Sequence, residues 1–328
     1  MHEASESRMQ SLSAEQRIGA VTQCSVIVGS GGADALRRII HPSPRIDEAL
    51  AQHGAVLFRG FGITSPEDFR SVAEALTVDL AADSHEHEPV SSDGVVQTPV
   101  FYAPHQKLLW HNENSFNLEW PLRIFFACVE SAEQGGETPL VDSRAVLERI
   151  DRNVVERFRN HGVMYVRNYT RGLGLGWETV FGTSDRLAIE ERCRSEAVEF
   201  EWRSASDLRT TFVRPAIVRH PRTGDESWFN QIQHWHPSCL DVETREALFD
   251  IFEEDELPRN CFFGDGSAID DSVVGEILRV YGELETAFRW EPGDFLAVDN
   301  VLTAHGRNPY VGSRRLLVAL GDMHSFVP

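Results

Sequence analysis

The stretch KLLWHNENSFNLEWPLRIFF, residues 107–126, sets a histidine two places before a glutamate inside an apolar run. In extended backbone, side chains alternate faces, so His111 and Glu113 are expected to point the same way. Leu109, Trp110, Phe116, Leu118 and Trp120 supply the apolar set of a strand that carries one polar pair. Burying a carboxylate beside an imidazole is costly unless something compensates. A divalent metal ion would do so. A His–Glu hydrogen bond at a strand end is the plainer reading, and one further histidine in the right setting decides between them.

A candidate for that histidine stands near the C-terminus, in WEPGDFLAVDNVLTAHGRNPYVGSRRLLVALGD, 290–322. Glu291 to Asp294 read as a turn, 294–299 as a strand, and His305 lies on its continuation. GRNPYVG reads as a loop, and Arg314 and Arg315 open an apolar strand over 314–320. A histidine ending one strand and an arginine opening the next, nine residues on, can face one cavity.

The chain has 328 residues with 41% hydrophobic and 25% charged side chains, the composition of a globular protein. No apolar run is long enough to span a bilayer, and MHEASESRMQ lacks a basic-then-apolar leader pattern. Five cysteines, at 24, 128, 193, 239 and 261, are scattered and form no CxxC. That usage fits reduced thiols in a cytoplasmic protein and excludes a zinc ribbon or a disulfide framework. A net charge of −20 argues against nucleic acid or an anionic membrane as partner. Neither GxGxxG nor GxxxxGK[ST] occurs, so a nucleotide-binding α/β fold has no support.

Residues 1–16 are expected to be disordered, with Ser13 and Gln16 as a capping pair, and 17–328 to form one domain. HGAVLFRGFGI, 53–63, reads as a buried strand. Ser65 then caps a helix with Pro66 at its first position and Phe69, Val72 and Leu76 along one face. Residues 141–162 read as one helix with Val146, Leu147, Ile150, Val154 and Phe158 inward and Gly162 past its end. Further helices are expected near 184–195, 241–254 and 270–284, and strands over 163–168, 212–219, 227–233, 294–299 and 314–320. Short strands with helices between them predict a mainly β fold, a sandwich or barrel carrying inserted helices.

With these motifs in place the chain resembles the iron(II)/2-oxoglutarate-dependent oxygenases of the taurine dioxygenase and clavaminate synthase type. The resemblance is carried by HNE at 111–113, GGETPLVD at 135–142 and DNxxxxHGR at 299–307 with the arginine that follows. WHNENSF (110–116), FNQxQ (229–233), LPRNCxxGDG (257–266) and DNxLxAHGRxPxxGxR (299–314) are most similar to hydroxylases that sit beside nonribosomal peptide synthetases. The syringomycin-pathway aspartyl hydroxylase is of that type. The likeness runs in order from about residue 50 to the end.

The resemblance implies a double-stranded β-helix (jelly-roll, cupin-like) core and three cofactors: iron(II), 2-oxoglutarate and O2. It also implies that His111, Glu113 and His305 are the metal ligands. Two imidazoles and one carboxylate on one face of iron leave three adjacent positions open for the 2-oxo acid and dioxygen. The far carboxylate of 2-oxoglutarate needs a fixed cation, for which a planar guanidinium is suited. Arg314 holds the matching position; Arg315, on the opposite strand face, is the alternative. Arg307 is expected to position its loop, and Thr138 to add a hydroxyl donor to the same carboxylate. Asn114, Asn230 and Gln231 carry amides suited to an amino-acid head group. The expected reaction is hydroxylation of an unactivated C–H in an amino-acid-like substrate, with release of succinate and CO2.

HEHE, 85–88, reads as a solvated acidic loop, and His234 and His236 as a strand end without a third ligand. Asp299 and Asn300 are expected to buttress the His305 segment. Halogenation is disfavoured because Glu113 fills the place chloride would need; desaturation, epoxidation and cyclisation use the same cofactors. A zinc hydrolase built on two histidines and a glutamate is the reading from another class, but it lacks HExxH and leaves Arg314 idle. The substrate is expected free or tethered to a peptidyl carrier protein. Carrier domains are commonly acidic, so a charge of −20 favours the free form.

Overall fold

The computed structural model describes residues 8–11, 24–41, 44–82, 88–170 and 174–326. Its main sheet runs Ser25–Val28, Ala55–Arg59, Phe295–Asp299, Glu119–Glu130, Arg315–Ser325, Gln97–Thr98 and Glu88–Pro89, with Arg8–Ser11 outside Ser25–Val28. All pairings are antiparallel except Ser25–Val28 with Ala55–Arg59. The pairing of Arg8–Ser11 places a strand within the stretch expected to be disordered; Ser13 and Gln16 lie outside the described residues.

The central strands are buried on both faces, which explains why 120–128 reads as nearly continuous apolar sequence. Phe125, Ala127, Phe295, Ala297, Leu317 and Ala319 face one way, against Leu36, Ile46, Leu50, Phe69 and Val72 from the helices Gly32–Ile40, Pro44–His53 and Pro66–Ala73. Ile124, Phe126, Cys128, Leu296, Val298, Leu316 and Val318 face the other way, against Leu140, Phe288 and Trp290.

On that second side lies a three-stranded sheet of Leu108–His111, Thr303–Arg307 and Leu140–Asp142. A four-stranded sheet follows in the order Glu199–Trp202, Leu208–Arg214, Val163–Tyr169 and Arg259–Phe263. Together these layers make the expected jelly-roll core with inserted helices. The helix Pro66–Ala73 forms as expected, its Ser65 hydroxyl accepting from the Asp68 amide.

Four local expectations need correction, the first being the strand expected over 227–233, which stops at Trp228 and gives way to the helix Ile232–Trp235. Residues 107–126 are not one strand: Leu108–His111 ends at the histidine, and a turn with Asn114 at φ 56° precedes Glu119–Glu130. Asparagine tolerates that left-handed conformation better than most residues. The helix expected over 141–162 is instead the strand Leu140–Asp142 and two helices, Ser143–Arg149 and Arg152–His161. Asp142 and Asp151 each accept from two amides ahead of them, so the segment carries two N-caps, and the second interrupts what the apolar spacing suggests is continuous. The strand expected over 212–219 is divided between Leu208–Arg214 and Ile217–Arg219, since Pro215 offers no amide to a ladder.

Candidate metal centre and adjoining cavity

His305 and His111 are cross-strand partners, paired residue to residue in antiparallel strands. Direct partners share a sheet face, so this register sets the two imidazoles side by side, ring centroids 4.5 Å apart. Glu113 follows two residues on, where the strand has given way to the turn. Its Oε2 lies 3.6 Å from His111 Nε2 and 3.9 Å from His305 Nε2. Those separations are too long for hydrogen bonds, so the plain His–Glu hydrogen bond is excluded. One donor atom from each of the three residues lies within 4.8 Å of the others. A chemistry of two imidazoles and a carboxylate at this spacing fits one divalent ion. His111 Nδ1 donates to the Leu109 carbonyl at 3.0 Å, which fixes the tautomer and leaves Nε2 as the lone-pair nitrogen facing the cluster.

Neighbouring amides hold these positions. The Asn300 side chain accepts from the Glu113 amide at 2.7 Å and donates to the Glu113 and Pro121 carbonyls. Asn112 donates to the Asn300 carbonyl and to Ser143. Asp299 accepts from the Val301 and Leu302 amides at the start of the segment leading to His305, and its other oxygen meets His220 at 3.0 Å. Asp299 and Asn300 therefore buttress the centre, as expected. Arg307 donates to the Ala103 and Gln106 carbonyls and so ties down the 102–106 loop.

Arg314 is half-buried, and its Nε donates to the Gly136 carbonyl at 2.8 Å. Burial, with Arg307 nearby, lowers its pKa to about 10, still charged at neutral pH. No carboxylate pairs with it among the described residues. Thr138, in the same segment as Gly136, is 2% exposed, and its hydroxyl oxygen accepts from Trp290 Nε1 at 3.1 Å, leaving the hydroxyl proton to donate elsewhere. Arg315 begins the strand Arg315–Ser325, paired with Glu130, and is exposed. Thus Arg314 and the Thr138 segment come together, and Arg315 does not join them.

The three amides named for a substrate are placed otherwise. Asn230 is fully buried, donating to the Ala216 carbonyl and accepting from the Ile232 amide. Gln231 donates to the Asn112 carbonyl. Asn114 sits in the turn and accepts from Asn117. Each is engaged by the scaffold. His234 and His236 are not a strand end: His234 lies in the short helix Ile232–Trp235, and His236 caps the 3-10 turn after it. Of the HEHE stretch, residues 85–87 fall outside the described residues, and Glu88 is exposed.

His234 Nε2 donates to the Leu109 carbonyl at 3.0 Å, and its ring lies 4.8 Å from that of His111. Burial, then the neighbouring His111, drives its pKa down to about 3, so it is neutral. It also lines a cavity of about 710 Å³ whose walls include Leu109, Arg167, Leu175, Trp235 and Arg259. That volume suits a small-molecule site. Its wall residues come from several separate segments; of the stretches quoted from the sequence, KLLWH supplies Lys107 and Leu109, FNQxQ supplies Gln233, and LPRNC supplies Leu257, Pro258 and Arg259.

The sequence profile described as taurine catabolism dioxygenase TauD, TfdA family matches residues 36–320. Dapdiamide synthesis protein DdaC of Enterobacter agglomerans is 37% identical over 283 residues, 86% of this chain and 85% of its own. A clavaminate synthase-like protein of Arabidopsis thaliana is 32% identical, covering 84% of this chain and 83% of its own. Among solved structures, PvcB, described as an Fe, alpha-ketoglutarate dependent oxygenase from an isonitrile synthetic pathway, superposes with a TM-score of 0.55 at 16% identity over 98% of this chain and 93% of its own. A taurine dioxygenase from Burkholderia xenovorans gives 0.55 at 15% identity, covering 98% and 95%. These two show the shared fold. Profile match, relatives and three-residue centre agree: the chain belongs to the TauD/TfdA family and is a non-haem iron(II)/2-oxoglutarate-dependent dioxygenase.

Proposed function

We propose that His111, Glu113 and His305 bind the iron(II) and that Arg314 and Thr138 bind the far carboxylate of 2-oxoglutarate. The reaction is hydroxylation of an unactivated C–H bond in an amino acid, or in an aminoacyl or peptide substrate, within specialised metabolism. It releases succinate and CO2. A relative named for dapdiamide synthesis at 37% identity supports that setting. One domain over 17–328 carries the activity in the reducing cytoplasm, where five unpaired cysteines are at home. Among the described residues no helix is long and apolar enough to cross a membrane. The zinc-hydrolase alternative has no place in this family.

The observation that carries the reading is the pairing of the His111–Glu113–His305 cluster with a half-buried cation that lacks a carboxylate among the described residues. Bound iron(II) supplies the oxidising chemistry with 2-oxoglutarate and O2. The protein's own part is placement. His111, held by Leu109, and Glu113, held by Asn300, present their donor atoms on one side of the cluster. Arg314 is fixed at its Nε by Gly136, so its terminal nitrogens remain to pair with a carboxylate. Trp290 orients Thr138 so that the hydroxyl proton can serve the same group. His234 remains neutral beside His111 and adds no positive charge to the metal pocket.

Anaerobic iron(II) plus 2-oxoglutarate should give the weak visible charge-transfer band of a chelated 2-oxo acid. Glu113→Ala should lose that band and turnover while the fold survives, since losing a ligand empties a site without opening a core. Full activity in Glu113→Ala without added carboxylate would overturn the ligand assignment. A screen of free and carrier-loaded amino acids, scored by substrate-dependent succinate and a gain of one oxygen, identifies the substrate.

A further inference from the structure

Two strands of the four-stranded sheet turn the same face inward. On Val163–Tyr169 that face carries Val163 and Tyr165; on Arg259–Phe263 it carries Cys261 and Phe263, and all four belong to one core cluster. Partners are Val163 with Phe263, Tyr165 with Cys261, and then Arg167 with Arg259. Where alternation calls for a third apolar rung, the sheet sets two arginines directly opposite each other. Like charges at direct cross-strand positions repel. Of the two, Arg167 is held inside the fold and Arg259 is exposed.

Both arginines line the cavity that also reaches Leu109 and His234 beside the metal centre. Arg167 is 7% exposed, and among the described residues no carboxylate pairs with it; its neighbour is the Tyr169 ring, 4.6 Å from the guanidinium carbon. Arg259 lies over Trp235 at 5.3 Å, and Trp235 is also in the cavity wall. Lys107, also in the lining, is paired with Glu285. The acid in the lining, Asp241, is occupied as the cap of the helix Val242–Phe249.

We infer that Arg167 and Arg259 form the recognition rung for a carboxylate on the primary substrate. This substrate is a small free acid whose carboxylate pairs with this rung while the carbon that reacts faces the metal centre. The inference rests on the proposed function for the position of the chemistry, and it deepens that reading by giving the substrate a charge. A buried guanidinium without a carboxylate, as at Arg167, gains most from a planar anion that accepts two parallel hydrogen bonds. The apolar remainder of the wall, with Leu175, Trp235, Leu248 and Leu257, suits the carbon chain between.

The test is binding in the absence of iron and 2-oxoglutarate, so that it stands apart from the metal assignment. Free amino acids, short N-acylated amino acids and dipeptides are titrated by calorimetry against their matched primary amides, with 4′-phosphopantetheine as a separate probe. At least one acid should bind tenfold or more tightly than its amide, and Arg167→Gln should erase that difference. Arg167→Lys, which keeps the charge without the planar fork, should retain part of it. Arg259→Gln alters an exposed residue that the fold tolerates, and should weaken the same acid several-fold. In each variant the absorption band with iron(II) and 2-oxoglutarate should match wild type. The inference fails if no acid outbinds its amide, if folded Arg167→Gln and Arg259→Gln bind acids as wild type does, or if 4′-phosphopantetheine binds in their place. Loss of the band in wild type, with the acid preference intact, would sink the metal reading alone.

Discussion

At the scale of single residues, the test case is the choice between two adjacent arginines. Arg314 is tucked against Gly136 with no carboxylate partner among the described residues, whereas Arg315 is exposed at the start of its strand. Arg314→Ala should therefore raise the 2-oxoglutarate requirement by at least about 30-fold, the lower end of the 2–5 kcal/mol lost with a buried charged contact. Iron binding should be nearly unaffected. Arg315→Ala should behave almost as wild type, and the reverse pattern in a 2-oxoglutarate titration would move the assignment by one residue. The choice was open to sequence because period-two alternation separates 314 from 315. Sequence could not separate the polar scaffold from the polar lining. Asn230 and Gln231 have the right chemistry for a head group, but their amides are consumed by the Ala216 and Asn112 carbonyls, contacts that only three-dimensional closeness reveals.

At the scale of elements, His111 and His305 meet because two strands pair in register, whereas Glu113 depends on a turn. That turn is pinned by one side chain, Asn300, which serves both the amide and the carbonyl of Glu113. Asn300→Ala leaves buried backbone groups without their partner and should cost about 2–4 kcal/mol of stability. It should also weaken iron(II) more than a change of equal cost elsewhere. Chemical denaturation and a metal titration on the same preparation separate the two effects; equal iron affinity at reduced stability would show that the turn holds without its clamp. The sequence made the HNE spacing plain, and the two side chains do converge; what it did not show is that the strand stops there, with Asn114 in the αL conformation just beyond Glu113. The divided helix over 143–161 has a similar cause. Apolar spacing continues through Ile150, and it is the capping carboxylate of Asp151 that starts a new helix.

At the scale of the whole molecule, a strand-rich core with inserted helices was legible because its central strands are apolar on both faces and its helices carry ordinary start and stop signals, while its jelly-roll form came with the family resemblance. The cavity was not, since its walls are gathered from segments more than a hundred residues apart. Burial also governs the thiols. It raises Cys24, Cys128 and Cys239 to about 12, Cys193 to about 11, and Cys261 well above its ordinary value. The folded protein should resist thiolate-directed alkylation at neutral pH until denaturant is added. These raised values also fix a sign. Above pH 9 the unfolded chain releases thiol protons that the folded chain keeps, so stability is complete below that pH and declines as pH rises towards 12. Denaturation midpoints between pH 8 and 11 would check it, and a flat profile would contradict the burial of these groups.

One carbonyl, that of Leu109, accepts from both His111 and His234. The first of these rings belongs to the metal centre and the second to the wall of the cavity. A substitution that reshapes the wall at that end therefore tugs on the ligand through a shared anchor, and a lineage exploring new substrates there would lose metal affinity as it went. Among the described residues, Leu175, Leu240 and Leu248 elsewhere in the wall share no such anchor with a ligand. Divergence among relatives in what they accept should accumulate there, with the Leu109 end held nearly constant by its double duty.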